Sequence, residues 1–73
     1  MDKTFYIYSA EERTMYTTKA KTAEAAILNY VRHMYKSDPE ELQKILNALS
    51  TNHELWAWAD DFGLVVTDSP QQL

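Results

Sequence analysis

The sequence contains no cysteine, one glycine and two prolines among its 73 residues. Without cysteine, a disulfide framework and a zinc–thiolate cluster are both excluded. One glycine is too few for the glycine-rich loops that bind phosphates in P-loop and dinucleotide-binding proteins. Long hydrophobic runs are also missing, so the sequence predicts neither a membrane-spanning helix nor a signal peptide, and we expect a cytoplasmic protein.

Basic residues are missing from the C-terminal part of the sequence. No lysine or arginine follows Lys44, and the formal net charge of −4 therefore belongs to residues 45–73. The acids of this segment are Glu54, Asp60, Asp61 and Asp68. Binding to a nucleic-acid backbone requires several basic side chains on one surface, so we expect no direct nucleic-acid binding. The acidic segment instead favours a protein partner with a basic surface, although acidic residues also serve solubility.

No arrangement of catalytic or metal-binding residues is recognisable. His33 and His53 are far apart and lack the spacing of a zinc site, so we expect two surface histidines. The acidic pairs at 11–12, 40–41 and 60–61 are adjacent, and adjacent carboxylates do not converge on one point in a helix or a strand. So small a core can hardly enclose a substrate pocket. We therefore expect no enzyme, no cofactor and no metal.

The N-terminal part has the pattern of a β-hairpin. Two runs rich in β-branched and aromatic residues, 4–8 and 14–20, predict two strands. The polar residues 9–13 between them fit a hairpin connection of about 3–5 residues.

Two amphipathic helices are predicted next. Thr22 can cap the first helix, and Asp38 followed by Pro39 begins the second, which continues to Leu49. The apolar stripe of the first helix is Ala23, Ala26, Ile27, Tyr30, Val31 and Met34. The stripe of the second is Leu42, Ile45, Leu46 and Leu49.

The last segment allows two interpretations. Large and small residues alternate over 55–59, which favours a second hairpin with a turn at 60–63 and a strand at 64–67. The alternative is a third helix that is capped by Asn52 and ended by Gly63 in a left-handed conformation.

These elements predict an α+β fold in which a small antiparallel sheet packs on two helices, in the order β-β-α-α-β-β. The third-helix alternative gives β-β-α-α-α-β. We expect one domain over residues 1–68 and a flexible C-terminal tail over residues 69–73. Both helical stripes would cover one face of the sheet, and the other face would have no cover.

The uncovered face is the predicted binding surface. If the apolar residues of the first strand face the helices, Tyr6 and Tyr8 point away from them. Trp56 and Trp58 of the second hairpin would join them in an exposed aromatic patch with an acidic rim. The predicted partner-binding residues are Tyr6, Tyr8, Glu54, Trp56, Trp58, Asp60, Asp61 and Asp68. The competing interpretation assigns the aromatic residues to the core and the acidic residues to solubility.

The run Tyr16–Ile27 (YTTKAKTAEAAI) resembles a strand-to-helix junction of small phage and mobile-element proteins. In that junction, a strand ending in alanine leads into a Ser/Thr-capped helix that opens with Glu-Ala. Together with the small size and acidic charge, it makes the chain similar to anti-CRISPR and related anti-defence inhibitors as a class. Such inhibitors often occupy a basic nucleic-acid groove, so the resemblance implies a protein partner with a positive surface. It assigns a role to no individual residue.

The expected function is therefore a non-enzymatic protein that inhibits or modulates a larger host protein of defence or nucleic-acid handling. One alternative is a homodimeric structural or regulatory module whose aromatic face covers itself across a two-fold interface. A second alternative is single-strand nucleic-acid binding by aromatic stacking, for which the sequence offers a platform but no basic groove.

Overall fold

The computed structural model describes residues 2–69. Its elements are β1 (Lys3–Ser9), β2 (Thr14–Ala20), α1 (Ala23–Met34), α2 (Pro39–Ala48), α3 (Asn52–Asp61) and β3 (Leu64–Thr67). The fold is α+β, as predicted, but its order is the alternative β-β-α-α-α-β, and the preferred second hairpin is wrong. Of the predicted tail, residues 70–73 lie outside the described part of the chain.

β1 is the central strand of the sheet. The strand order is β2-β1-β3, and both neighbours are antiparallel to β1. Ile7 pairs with Tyr16 on one side and with Val66 on the other, and its side chain is fully buried against the helices. The predicted N-terminal hairpin is confirmed, and β3 is added to its β1 edge.

α1 covers the sheet as its apolar stripe predicts. The Thr22 hydroxyl caps the helix by accepting a 3.1 Å hydrogen bond from the backbone N–H of Ala25. Ile27 and Val31, one turn apart on the stripe, are both 0% exposed. Burial of these branched side chains stabilises the packed helix.

α2 is correctly predicted as a helix, but its packing is not. Asp38 caps it by accepting from the N–H of Glu41 at 3.2 Å, and Pro39 occupies its first turn. None of its residues is buried, and the apolar side chains of Leu42, Ile45 and Leu46 are only half-buried. α2 packs beside α1, and α3 occupies the place on the sheet that was predicted for α2.

α3 replaces the predicted first strand of the second hairpin. Thr51, rather than Asn52, caps it by accepting from the N–H of Glu54 at 3.2 Å. Leu55 and Ala59 are each 2% exposed. They are one turn apart and therefore share a face of the helix, and this face is buried. Gly63 follows the helix with φ +64°, a conformation that favours glycine.

The hydrophobic core lies between the sheet and the pair α1 and α3. Phe5 and Ile7 from β1 contact Ala26 and Tyr30 from α1 in one cluster. Ile27 and the buried face of α3 form a second cluster beside it, to which Leu49 adds a half-buried contact. Among residues 2–69, no helix is both long enough and apolar enough to cross a membrane.

Candidate protein-binding surface

The face of the sheet opposite the helices has no cover from the described residues. Tyr6 and Tyr8 of the central strand lie on this face and are half-buried. Tyr8 pairs with Met15 of β2 and with Val65 of β3. Met15 is 51% exposed and Val65 is 44% exposed. We call these four residues, Tyr6, Tyr8, Met15 and Val65, the open-face strip, because they form an apolar band across all three strands.

The other strand residues on the open face are polar, and none of them carries a carboxylate. Tyr6 pairs with Thr17 and Thr67, and Thr4 pairs with Lys19 at the far end of the strands. Of the described strand residues on this face, only Lys19 is charged. The face itself is therefore nearly neutral, although the chain has a formal net charge of −4.

Acidic residues collect at one end of the sheet. The backbone N–H of Ala10, at the start of the β1–β2 turn, donates a 3.2 Å hydrogen bond to the carbonyl oxygen of Gly63, just after α3. This bond places the last turn of α3 beside the β1–β2 turn. Four acids therefore share this end with Tyr8: Glu11, Glu12, Asp60 and Asp61. We call these four residues the acidic end.

Two of these acids oppose the dipole of their own helix. Asp60 and Asp61 occupy the last turn of α3, and that turn contains no basic residue. The C-terminus of a helix has a partial negative charge, so carboxylates there are unfavourable. Both side chains are exposed to solvent.

Trp58 belongs to the core and not to a surface. Its ring lies 4.6 Å from that of Phe62 and 6.5 Å from that of Tyr30, measured between centroids. It is half-buried and packs against both core clusters. For this residue the competing interpretation, that the aromatic residues are core, describes the structure.

Trp56 lies on the helical side of the molecule, away from the tyrosines. Residues two apart on a helix point in different directions, so Trp56 is 39% exposed while Trp58 packs inward. Trp56 and Asp60 share the rim of a shallow hollow of about 420 Å³ on the outer surface of α3. The predicted grouping of both tryptophans with the tyrosines depended on the second hairpin, and it is wrong for that reason.

The remaining predicted acids are spread over the molecule. Glu54 is in the first turn of α3, at the opposite end of that helix from Asp60. Asp68 follows β3 at the end away from Leu64, so the length of the strand separates it from the acidic end. Of the predicted residues, the structure therefore groups Tyr6 with Tyr8 on the open face, and Asp60 with Asp61 in the helical layer at the end of the sheet nearest Tyr8. It leaves Glu54, Trp56, Trp58 and Asp68 elsewhere.

Met15 and Val65 were missed as site residues. Successive residues of a strand point to opposite faces, so the sequence of β2 already places Met15 on the other face from Tyr16. This alternation was enough to predict Met15 as a residue of the open face. Val65 joins the strip only because β3 pairs with β1, and nothing local in the sequence gives that pairing.

The histidines and carboxylates form no metal site in the described part of the chain. His33 and His53 are both exposed, and the ring of His33 stacks on Tyr16 with centroids 4.7 Å apart. Within residues 2–69, no three histidine, aspartate or glutamate side chains are placed to hold a metal ion.

Comparison with known proteins adds no relative: no family model matches the chain, and no curated protein or solved structure is significantly similar to it.

Proposed function

We propose that the protein is a non-enzymatic binding module that contacts a partner protein through the open-face strip and modulates it by occupying a basic surface. The supporting observation is that Met15 and Val65, 51% and 44% exposed, flank Tyr8 in the register of the sheet. Contiguous exposed apolar patches typically mark interaction sites. Aromatic residues and methionine are also enriched in the cores of protein interfaces.

The acidic end supports the choice of a basic partner. Glu11 and Glu12 follow β1 just beyond Tyr8, and Asp60 and Asp61 lie at the same end in the helical layer, so the negative charge is at one end of the strip and not within it. Charges at the rim of an interface steer association and restrict the choice of partner more than they add affinity. An acidic rim beside an apolar centre thus fits a partner with an apolar patch beside lysines and arginines.

Inhibition of a larger protein of defence or nucleic-acid handling is the form of modulation that this charge pattern favours. A basic groove that binds nucleic acid attracts an acidic protein by the same electrostatic forces that attract phosphates. A protein seated there would exclude the nucleic acid. The resemblance of residues 16–27 to a junction of small phage and mobile-element proteins, together with the small size and acidic charge of the chain, agrees with this proposal.

The test removes the apolar strip while the core is left intact. Both residues changed in the double variant Met15→Thr/Val65→Thr are exposed and lie in strands, where threonine is well tolerated. The control is Trp56→Gln, which removes the exposed tryptophan from the helical side of the molecule. A partner captured by the wild type should be retained by the control and lost by the strip variant.

Two other outcomes would assign the strip a different occupant. A wild-type dimer in analytical ultracentrifugation that dissociates in the strip variant would show that a second copy covers the face. A mobility shift with single-stranded DNA or RNA that weakens with salt would show nucleic-acid binding instead. A partner bound equally by the wild type and the strip variant would overturn the proposal.

A further inference from the structure

A cavity of about 370 Å³ opens at the β2 edge of the sheet. It lies between the β1–β2 turn and the last turn of α1, and its lining includes Glu12, Met15, Tyr16, Tyr30 and His33. Met15 is thus part of both the open-face strip and the cavity. A partner that covers the strip would bring its own side chains to the entrance.

The wall of the cavity is aromatic and held in place by packing. The rings of Tyr16 and His33 stack at 26° with centroids 4.7 Å apart. Tyr30 meets Tyr16 edge to face, with centroids 5.6 Å apart, and is only 4% exposed. Aromatic rings have negative electrostatic potential on their faces, so such a wall attracts cations.

Glu12 adds a full negative charge to this wall. Its backbone N–H donates a 3.2 Å hydrogen bond to the hydroxyl of Ser9, which is 3% exposed, and this bond fixes the turn. Burial raises the pKa of the Tyr30 hydroxyl, and the nearby carboxylate of Glu12 raises it further. Among the described residues, no lysine or arginine forms an ion pair with Glu12.

We propose that this cavity binds the side chain of an arginine from the partner protein, with the guanidinium paired to Glu12 and packed along the aromatic rings. A guanidinium is planar, weakly hydrated and able to stack on aromatic faces while donating to a carboxylate, and the ammonium of lysine lacks the first two properties. The cavity is at the small end of the range for ligand sites, which suits one side chain and not a large ligand. This assignment rests on the proposed function, because it supplies the specific contact for a basic partner.

The probe is N-acetyl-arginine amide, titrated into ¹⁵N-labelled protein at pH 7.5. The matched control ligand is N-acetyl-citrulline amide, which has nearly the same shape and no charge. We expect saturable amide shifts confined to residues 12–16 and 30–34 with the arginine compound, in the millimolar range expected for a single side chain, and none with the citrulline compound.

Three variants test the residues assigned to the cavity. Glu12→Gln should weaken binding of the arginine compound at least about fivefold, as expected for loss of a charge-assisted contact. Its control, Glu40→Gln, removes a carboxylate from the first turn of α2, outside the lining of the cavity, and should leave binding of the arginine compound unchanged. Tyr16→Leu keeps an apolar side chain but removes one ring, and it should weaken binding independently of Glu12.

The outcomes separate the cavity from the function. Equal shifts with both ligands, shifts elsewhere on the protein, or full binding by Glu12→Gln would overturn the arginine site. If the strip variant loses the captured partner while Glu12→Gln and Tyr16→Leu both keep it, the cavity assignment fails and the proposed function stands. If the arginine compound binds as expected while the strip variant keeps the partner, the proposed function fails and the cation site remains.

Discussion

The indole nitrogen Nε1 of Trp56 donates a 2.9 Å hydrogen bond to Oε2 of Glu24, 32 residues earlier in the chain. The bond joins α3 to the first turn of α1, on the side of the molecule away from the open-face strip. The exposure of Trp56 therefore has a structural explanation, because its polar edge links two helices that both pack on the sheet.

Trp56→Phe removes this bond and keeps most of the ring. We expect the free energy of unfolding in urea to fall by about 0.5–1.5 kcal/mol, the usual net value of one hydrogen bond. Glu24→Gln retains an acceptor oxygen for this bond but removes a favourable acid from the first turn of α1, so it should also destabilise. Partner binding should not change. A Trp56→Phe protein of normal stability that binds its partner more weakly would return Trp56 to the interface.

Ile27→Ala should be among the most damaging single changes. The side chain is 0% exposed, and truncation of a buried isoleucine to alanine typically costs about 2–5 kcal/mol. The matched control is Ile45→Ala in α2, where the same side chain is only half-buried and a smaller loss is expected. Urea melts of the two variants measure both values. Equal losses would show that α2 is packed as tightly as α1.

Asp60→Asn/Asp61→Asn should stabilise the protein. It removes two carboxylates from the negative end of α3. Each unfavourable interaction with the helix dipole costs about 0.3–1 kcal/mol of stability at low ionic strength. The control Glu40→Gln/Glu41→Gln removes the same charge from the first turn of α2, where acids are favourable, and should destabilise.

The same Asp60/Asp61 variant tests electrostatic steering. Its association with the captured partner should be slower and less dependent on salt than that of the wild type, as surface plasmon resonance would measure. An unchanged association rate and salt slope would remove both aspartates from the rim.

Tyr30 makes stability depend on pH at the alkaline end. Burial, with a smaller effect of Glu12, raises the pKa of its hydroxyl above the ordinary 10.0 in the folded protein. The unfolded chain ionises first as the pH rises, so this contribution to stability is complete below pH 10 and is lost as the pH passes through the raised pKa. Tyr30→Phe should show a smaller loss of stability between about pH 8 and about pH 11 than wild type, given the usual tyrosine pKa. Tyr6→Phe, which retains the Tyr30 hydroxyl, should show the full loss in the same urea melts.

Gly63→Ala tests the end of α3. An added Cβ would meet the Cβ of Ala10 at 3.7 Å, an ordinary contact, so space is not limiting. The cost comes from φ +64°, where an L-residue loses about 1–2 kcal/mol relative to glycine. A variant as stable as wild type in thermal melts would mean that the backbone can relax at this turn.

The local elements could be predicted because their signals are local. The stripe from Ala23 to Met34 and the cap at Thr22 specify α1, and Asp38 with Pro39 specifies the start of α2. The segment 55–59 was misassigned because the alternation of tryptophan and alanine fits a strand as well as a helix. Gly63 and the helical spacing of Leu55 and Ala59 favour the helix, and packing of that face against Ile27 adds to the stabilisation.

The candidate surface depended on contacts that sequence patterns do not contain. Alternation along β1 correctly placed Tyr6 and Tyr8 on the uncovered face. Val65 lies in the strip because β3 pairs with β1. The acids that follow β1 lie near the last turn of α3 because the backbone N–H of Ala10 donates a hydrogen bond to the carbonyl oxygen of Gly63. These contacts join residues that are distant in the chain, so no window of sequence contains both partners.

The central position of β1 also makes the sheet depend on contacts of very different separation along the chain. β1, β2 and α1 are consecutive and can associate through contacts between near neighbours, whereas β3 reaches β1 only after all three helices have been traversed. Val65 belongs to β3, so the apolar band is complete only when β3 is paired with β1. A contact that needs all four residues of the open-face strip therefore depends on the integrity of the whole three-stranded sheet.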